Sequence, residues 1–465
     1  MSEQIIANTD LAINVGQGLD VDLIIGKGIE SINNQIRFSQ NKIDINKQWQ
    51  TSSLELFVVV EGNQLAVVEF SPTTEEEVRN QVESLVKFAL KMPPSPFFQG
   101  IEERKLKYSL VPGIFDSKID DFRQKAPQYV NASIDAAIAA GAKRAAGSFL
   151  FGQEDIYTHS SAGPQGKYSR TFYNLTIRGF QAELDASGQG LTCGPKPSIA
   201  EKELTVAGER AGHFSKLHQG AHQAKPGKYD IVMAPAVAAN LLGKIPAMAN
   251  PVSIMMGMSA LGDKMGEKLA PEFVSVSDNG LKSGGLASSP FDFEGTTRQK
   301  TSLIRDGILI NFIHNTSSAN MFQGESTGNG ELLDLGSVWG GSTGSKILIP
   351  AFTNIIFNDG DHSLDELLEG STPTVFVTCN WYTRFTSRIS TEFSTIPRDA
   401  AFLIERGELG KPLKNFRISD NLLRQFTNIE AIGNDRVQVK WWEVLNPTWI
   451  STVRVKDCRI TTATQ

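Results

Sequence analysis

Cysteine and histidine are scarce in this chain, and it contains no long run of apolar residues or of one charge. Its three cysteines, Cys193, Cys379 and Cys458, lie far apart and form no C-x-x-C pair. Neither a disulfide framework nor a ribbon-type zinc site is therefore indicated, and a reducing compartment is expected. No stretch approaches the ~20 apolar residues that cross a bilayer. The opening residues have neither the basic start nor the apolar centre of a secretory leader. These absences predict a cytoplasmic protein with no membrane partner. Lysine and arginine number 45 against 51 acidic residues, a net charge of −6. That balance lacks the positive field of nonspecific nucleic-acid binders, so no nucleic-acid partner is expected.

What is present reads as an α+β chain. Ile32–Ile43 and Leu54–Val60 have strand character, and Glu61–Gln64 turns the chain into Leu65–Phe70. Ser71-Pro72-Thr73-Thr74-Glu75-Glu76-Glu77 combines capping residues with first-turn carboxylates. Val78, Val82, Leu85, Val86 and Ala89 follow at helical spacing. A second helix is predicted over Tyr129–Ala140, strands over Ala145–Phe151, Ile156–Ser160 and Ser169–Phe180, a Gly/Pro-rich loop over Ser187–Pro197, and a helix over Glu201–Leu217. Lys225-Pro226-Gly227-Lys228 is the clearest linker. Beyond it short strands and Gly-rich turns dominate, with helical stretches near Ala236–Leu242 and Ser363–Leu368. The expected division is a mixed α/β N-terminal domain over residues 1–223 and a predominantly β C-terminal domain over 224–465.

Several constellations could carry chemistry. His213, His218 and His222 cluster, and on a continuous helix His218 and His222 would share one face, as two zinc ligands require. The position after the first histidine of such a pair should be a glutamate base; here it is Gln219. A helix-end or surface role is therefore favoured, with a relocated metal site the alternative. The glycine-rich pieces Ser326-Thr327-Gly328-Asn329-Gly330 and Gly340-Gly341-Ser342-Thr343-Gly344 could cradle an anion with backbone N–H groups. Neither has a phosphate loop's lysine, which favours turns. Asp292 and Glu294, two apart on a strand, would point the same way as a carboxylate pair, though turn-flanking structure is the simpler use. Trp441, Trp442 and Trp449 read as core or interface anchors rather than a base-stacking platform, because no surrounding set of basic partners is expected.

From Tyr229 the sequence runs YDIVMAPAVAANLLGKIPAMA, then LGDKMGEKLAPEFVSVSDNG, then SSPFDFEGTTRQKTSLIRDGILINFIHNTSSA, then STGNG. In order and spacing this resembles the TldD/PmbA family, whose members TldD and TldE (PmbA) form an intracellular zinc metalloprotease; an older family name is modulator of DNA gyrase. The resemblance implies the TldD/PmbA type of C-terminal domain. The catalytic member carries H-E-x-x-x-H after the strand that here is Tyr229–Met233. Those positions fall on Gly243, Lys244 and Met248 of this sequence, with Pro246 interrupting any helix across them. The family's cysteine ligand would fall near Lys440 or Trp441. By resemblance, then, this chain is the TldE/PmbA-like, non-catalytic subunit and binds no cofactor, zinc sitting on a TldD-like catalytic partner. Heterodimer or homodimer, it would handle small or unfolded peptides, with Asp292, Glu294, Ser326, Thr327, Gly328 and Asn329 as candidate substrate contacts. The alternatives are a metal-free peptide-binding homo-oligomer, and an autonomous metallopeptidase using His213, His218 and His222.

Overall fold

A computed structural model describes residues 2–104, 106–182, 186–334, 346–370 and 372–462. The first half is built on one sheet with strand order β3-β2-β1-β4-β5-β6. Its strands are β1 (Leu23–Ser39), β2 (Lys42–Val60), β3 (Gln64–Phe70), β4 (Arg144–Ser160), β5 (Gln165–Phe180) and β6 (Ser187–Gly194). Every neighbouring pair is antiparallel. Helices α1 (Glu3–Gly18), α2 (Glu75–Ala89), α3 (Ile119–Ala139) and α4 (Glu201–Leu217) cover it. The expected capping signal is realised: Thr74 Oγ1 accepts from Glu77 N at 3.2 Å while the Glu77 carboxylate accepts from Thr74 N. Helix α2 buries Val78, Val82, Leu85, Val86 and Ala89, the set its spacing picks out.

The structure corrects five sequence readings in this half. The strand read over Ile32–Ile43 is the end of β1 and the start of β2, joined by a turn at Gln40–Asn41. Helix α1 occupies the opening segment, which had been assigned no element, and α3 begins ten residues before Tyr129. The two strands read over 145–160 are one, β4. Most telling, the Gly-rich loop at 187–197 opens with strand β6. Gly188 and Gly190 sit two apart, hence on one face of that strand. A Cβ on Gly190 would lie 1.8 Å from the Ala207 carbonyl oxygen and one on Gly188 2.5 Å from that of Ala211. The glycines are there because the α4 backbone rests directly on the strand, not because the segment turns.

Strand is the main regular structure of the second half. Gly227–Met233 pairs parallel with Thr374–Ser387 and antiparallel with Val453–Thr462. Phe416–Asn421 and Glu392–Glu405 continue from there, and Glu392–Glu405 pairs back onto Thr374–Ser387, closing a ring of five strands. A flanking sheet includes Val276–Asn279, Ile355–Phe357, Val444–Ile450 and Val437–Trp441. One large core, including Ile231, Val377, Phe416 and Val455, fills the space between these layers. The expected linker at 225–228 leads straight into the first strand of the ring, and the preceding His222–Gln223 pair parallel with Leu413–Lys414.

The halves are packed together by both oil and charge. Phe293, Leu332 and Leu348 bury against Leu23, Ile25, Phe57 and Val59; each such side chain is worth about 1.5–3 kcal/mol when fully buried. Next to them Lys27 Nζ donates to Glu331 Oε2 at 3.2 Å, and Lys346 bridges Glu55 and Glu69. At the far end of the sheet Arg178 Nε donates to Asp399 Oδ1 at 2.9 Å.

Candidate functional site

The segment carrying Gly243, Lys244 and Met248 leaves the ring at Met233. Pro235 opens a short helix, Pro235–Leu241, where its missing N–H is no loss. The helix then stops. Single 3-10 turns follow at Leu242–Lys244 and Pro246–Met248, closed by Ile245 N to Leu242 O at 3.2 Å and Ala249 N to Pro246 O at 3.0 Å. Pro246 cannot donate a helical hydrogen bond, so the interruption expected from it is what the backbone shows.

Gly243, Lys244 and Met248 all line one cavity of about 270 Å³. Its walls bring in Ser253, Met258, Phe385, Arg388, Glu443 and Leu445 from elsewhere in the chain. Lys244 is half-buried and makes no hydrogen bond or ion pair among the described residues. Burial depresses its ammonium below the usual lysine range; Glu443 opposes that shift, and Arg384 and Arg388 add to it. Glu443 is buried, and its Oε1 accepts from Tyr382 N at 2.8 Å, holding Tyr382 at φ +52°. A non-glycine residue in the left-handed region is uncommon and costs about 1–3 kcal/mol. Beneath the cavity Asn240 Nδ2 donates to Thr383 Oγ1 at 3.0 Å and Asn380 Nδ2 to Thr395 Oγ1 at 2.9 Å.

The donor chemistry here does not suit zinc. A catalytic zinc takes three protein ligands from histidine, cysteine and carboxylate; the cavity wall supplies one carboxylate and no imidazole or thiol. Lys440 and Trp441 occupy an edge of the flanking sheet, and Lys440 donates to the Leu445 carbonyl. Cys458 lies outside the cavity wall, buried in the ring with its thiol pushed well up by burial. Among the described residues no group of three or more His, Cys, Asp and Glu side chains is placed to hold a metal ion.

The other sequence candidates fall elsewhere. Helix α4 ends at Leu217, so His218 is its C-cap and His222 sits in a two-residue strand; no helix face joins them. His218 is buried with its Nε2 3.0 Å from Leu413 O, while His213 and His222 are exposed. Asp292 and Glu294 are both buried and do come together with the 326–329 turn, as parts of an internal lattice. Asp292 Oδ2 accepts from Gly330 N at 2.7 Å, Glu294 Oε1 from Asn315 Nδ2 at 2.9 Å, and Arg298 Nη1 donates to Gly328 O at 2.7 Å. Thr327 Oγ1 donates to His314 O at 2.9 Å, Asn329 Nδ2 reaches Asp278 Oδ2 at 2.8 Å, and the Ser326 carbonyl accepts from Gln299 at 3.0 Å. Burial raises both carboxyls, and for Asp292 the neighbouring Glu294 raises it further. Gly340–Gly344, which also spells G-x-S-x-G, lies outside the described residues. Of the tryptophans, Trp441 is buried and Trp442 is 53% exposed, and the expectation that they have no basic partners is corrected. Lys282 stands 4.8 Å over Trp449, a basic partner far away in sequence.

A family profile described as the PmbA/TldA metallopeptidase C-terminal domain matches residues 226–462. The chain belongs to the PmbA/TldD family. It is 28% identical over 218 residues to a metalloprotease of Methanocaldococcus jannaschii, covering 46% of each protein. To the metalloprotease PmbA of Escherichia coli it is 28% identical over 224 residues, 47% of this chain and 45% of that one. The matched stretches thus span about half the length of these curated relatives. Among solved structures, TldE from Thermococcus kodakarensis superposes with a TM-score of 0.83 at 17% identity, over 98% of this chain and 100% of that one. A candidate modulator of DNA gyrase from Bacteroides thetaiotaomicron gives 0.82 at 17% identity, over 99% of each chain. These likenesses carry the α+β fold of the PmbA/TldD family member. No helix among the described residues is long and apolar enough to cross a membrane.

The sequence reading named Gly243, Lys244 and Met248 as motif positions but gave no sign of the cavity they line or of the rest of its wall. Glu443, Arg388 and Phe385 lie more than 130 positions beyond Lys244 and share no spacing signal with it.

Proposed function

We propose that this chain is the non-catalytic, TldE-like subunit of a TldD/TldE-type zinc metalloprotease, handling small or unfolded peptides in the cytoplasm. One observation carries the reading: the three positions at which the catalytic relative's motif would stand line a common cavity as glycine, lysine and methionine. Lysine is a poor replacement for a general base beside a dication, and glycine offers no donor at all. Zinc would sit on an H-E-x-x-x-H partner, paired with this chain as a heterodimer, and the division near residue 223 would separate the sheet-building half from the half bearing the remnant site. The relocated-histidine alternative is disfavoured by the separation of His218 from His222.

The test is metal analysis of the purified chain, followed by cleavage of an unfolded peptide by this chain, by an H-E-x-x-x-H family member, and by the mixture. The expected outcome is less than about 0.1 zinc per chain and cleavage only where the partner is present, since without a bound metal no water is activated near neutral pH. Stoichiometric zinc with hydrolysis by the lone chain refutes the proposal.

A further inference from the structure

The cavity that lacks metal donors is instead rich in cations. Lys244 and Arg388 line it, and Arg384 lies close enough to act on the Lys244 ammonium; Glu443 is the single carboxylate in the wall. Its hydroxyls are largely committed: Ser259 Oγ donates to Met248 O at 2.7 Å and Thr448 Oγ1 to Asn446 O at 2.9 Å. The Lys244 ammonium is a charged donor with no hydrogen-bond or ion-pair partner among the described residues. The remaining wall is apolar, from Met248, Met258, Phe385 and Leu445. At about 270 Å³ the space would hold roughly nine waters, room for one amino-acid residue.

The surroundings have their own character. Leu445, a wall residue, is 71% exposed, and outside the wall Trp442 and Tyr382, both neighbours of Glu443, have rings 6.1 Å apart. Tyr382 is the residue that Glu443 holds in the left-handed region. A strained residue bonded to a carboxylate of the cavity wall points toward a binding role rather than to packing alone.

We propose that this pocket binds the carboxylate of a peptide, with Lys244 as its counter-ion and the methionine and phenylalanine wall receiving the adjoining apolar residue. An anion with one charge suits it better than a phosphate, because Glu443 repels a dianion and the walls offer few further donors. The inference rests on the peptide-handling reading above and adds to it which group of the peptide this chain reads.

The experiment is fluorescence anisotropy of the full chain with N-terminally labelled penta-alanine, as the free acid and as the C-terminal amide. The free acid should bind at least about tenfold more tightly, the weight of one charge-assisted contact. Lys244→Met should bring the acid down to the level of the amide and leave the amide unchanged, while Lys244→Arg keeps the preference; circular dichroism melts confirm that both variants are folded. An amidated peptide with one internal glutamate separates the two sources of the group. Binding like the free acid assigns any carboxylate, and binding like the amide assigns the chain end. Equal affinities for acid and amide, an unaffected Lys244→Met, or no binding of the acid up to about 1 mM overturns the proposal. Zinc content and hydrolysis by the lone chain are measured separately, so failure of the subunit reading is distinguishable from failure of this one.

Discussion

Replacing Arg454 by methionine should destabilise the C-terminal half by about 3 kcal/mol, the low end of what breaking a buried ion pair costs. Arg454 and Asp230 are each 5% exposed, on the adjacent strands Val453–Thr462 and Gly227–Met233. Arg454 Nη2 donates to Asp230 Oδ2 at 2.9 Å, Nη1 donates to the Leu367 carbonyl at 3.0 Å, and Nε lies 2.9 Å from Glu430 Oε2. Methionine fills the volume but leaves Asp230, among the described residues, with only the Thr372 hydroxyl and the Asp457 N–H at 3.2 Å. Those two bonds are why the low end is chosen. With about 2.1 cal/mol/K per residue, unfolding of 465 residues carries about 1 kcal/mol/K, so Tm should fall by about 3 °C if the chain melts as one unit. If the C-terminal half melts alone, the same loss gives about 6 °C. Scanning calorimetry distinguishes these cases, and a cycle with Asp230→Asn isolates the pair. Coupling of at least about 1 kcal/mol is expected. A Tm shift under about 1 °C, or strictly additive single variants, would show that the guanidinium does not hold these strands together.

Two further outcomes follow from the same structure. Burial pushes the Asp278 carboxyl up to about 6, against the opposing pull of Asn329 and Thr353. The folded chain then holds a proton that the unfolded chain has lost between about pH 4 and 6, so this group's contribution to stability falls as pH rises through that window; melts of Asp278→Asn should lack that component of the slope, and identical pH profiles for variant and parent would refute it. Gly190→Ala places a methyl 1.8 Å from the Ala207 carbonyl oxygen; α4 must lift from β6, costing about 1–3 kcal/mol or more, readable as lost proteolytic resistance around 187–217, and unchanged resistance would disprove the close seat.

How much of this was legible depended on whether the signal was local. The capping run before α2 and the periodicity of α4 are local, and both elements stand where they were read. Strand β6 was misread because its glycines answer to a helix lying across them, a constraint visible only after folding. Helix α1 was missed because Asn8 and Thr9, polar residues that weaken a helical reading, are buried on its inner face. The site followed the same division. Gly243, Lys244 and Met248 could be found by their place after Tyr229–Met233, whereas Glu443 and Arg388 reach the cavity only through long-range sheet pairing. The internal lattice of Asp292, Glu294 and Asn329 shows the reverse error, where polar residues grouped in sequence knit the interior.

The position of Val453–Thr462 constrains the order in which the molecule can be made. This strand lies between Gly227–Met233 and Phe416–Asn421, so the ring has a gap in its middle until residue 462 has left the ribosome. The six-stranded half, complete by Gly194, can collapse long before, while the ring must join segments more than two hundred positions apart and will mature slowly. During synthesis the nascent ring exposes the edge of Gly227–Met233, and a chaperone that shields bare strands would find its binding site there.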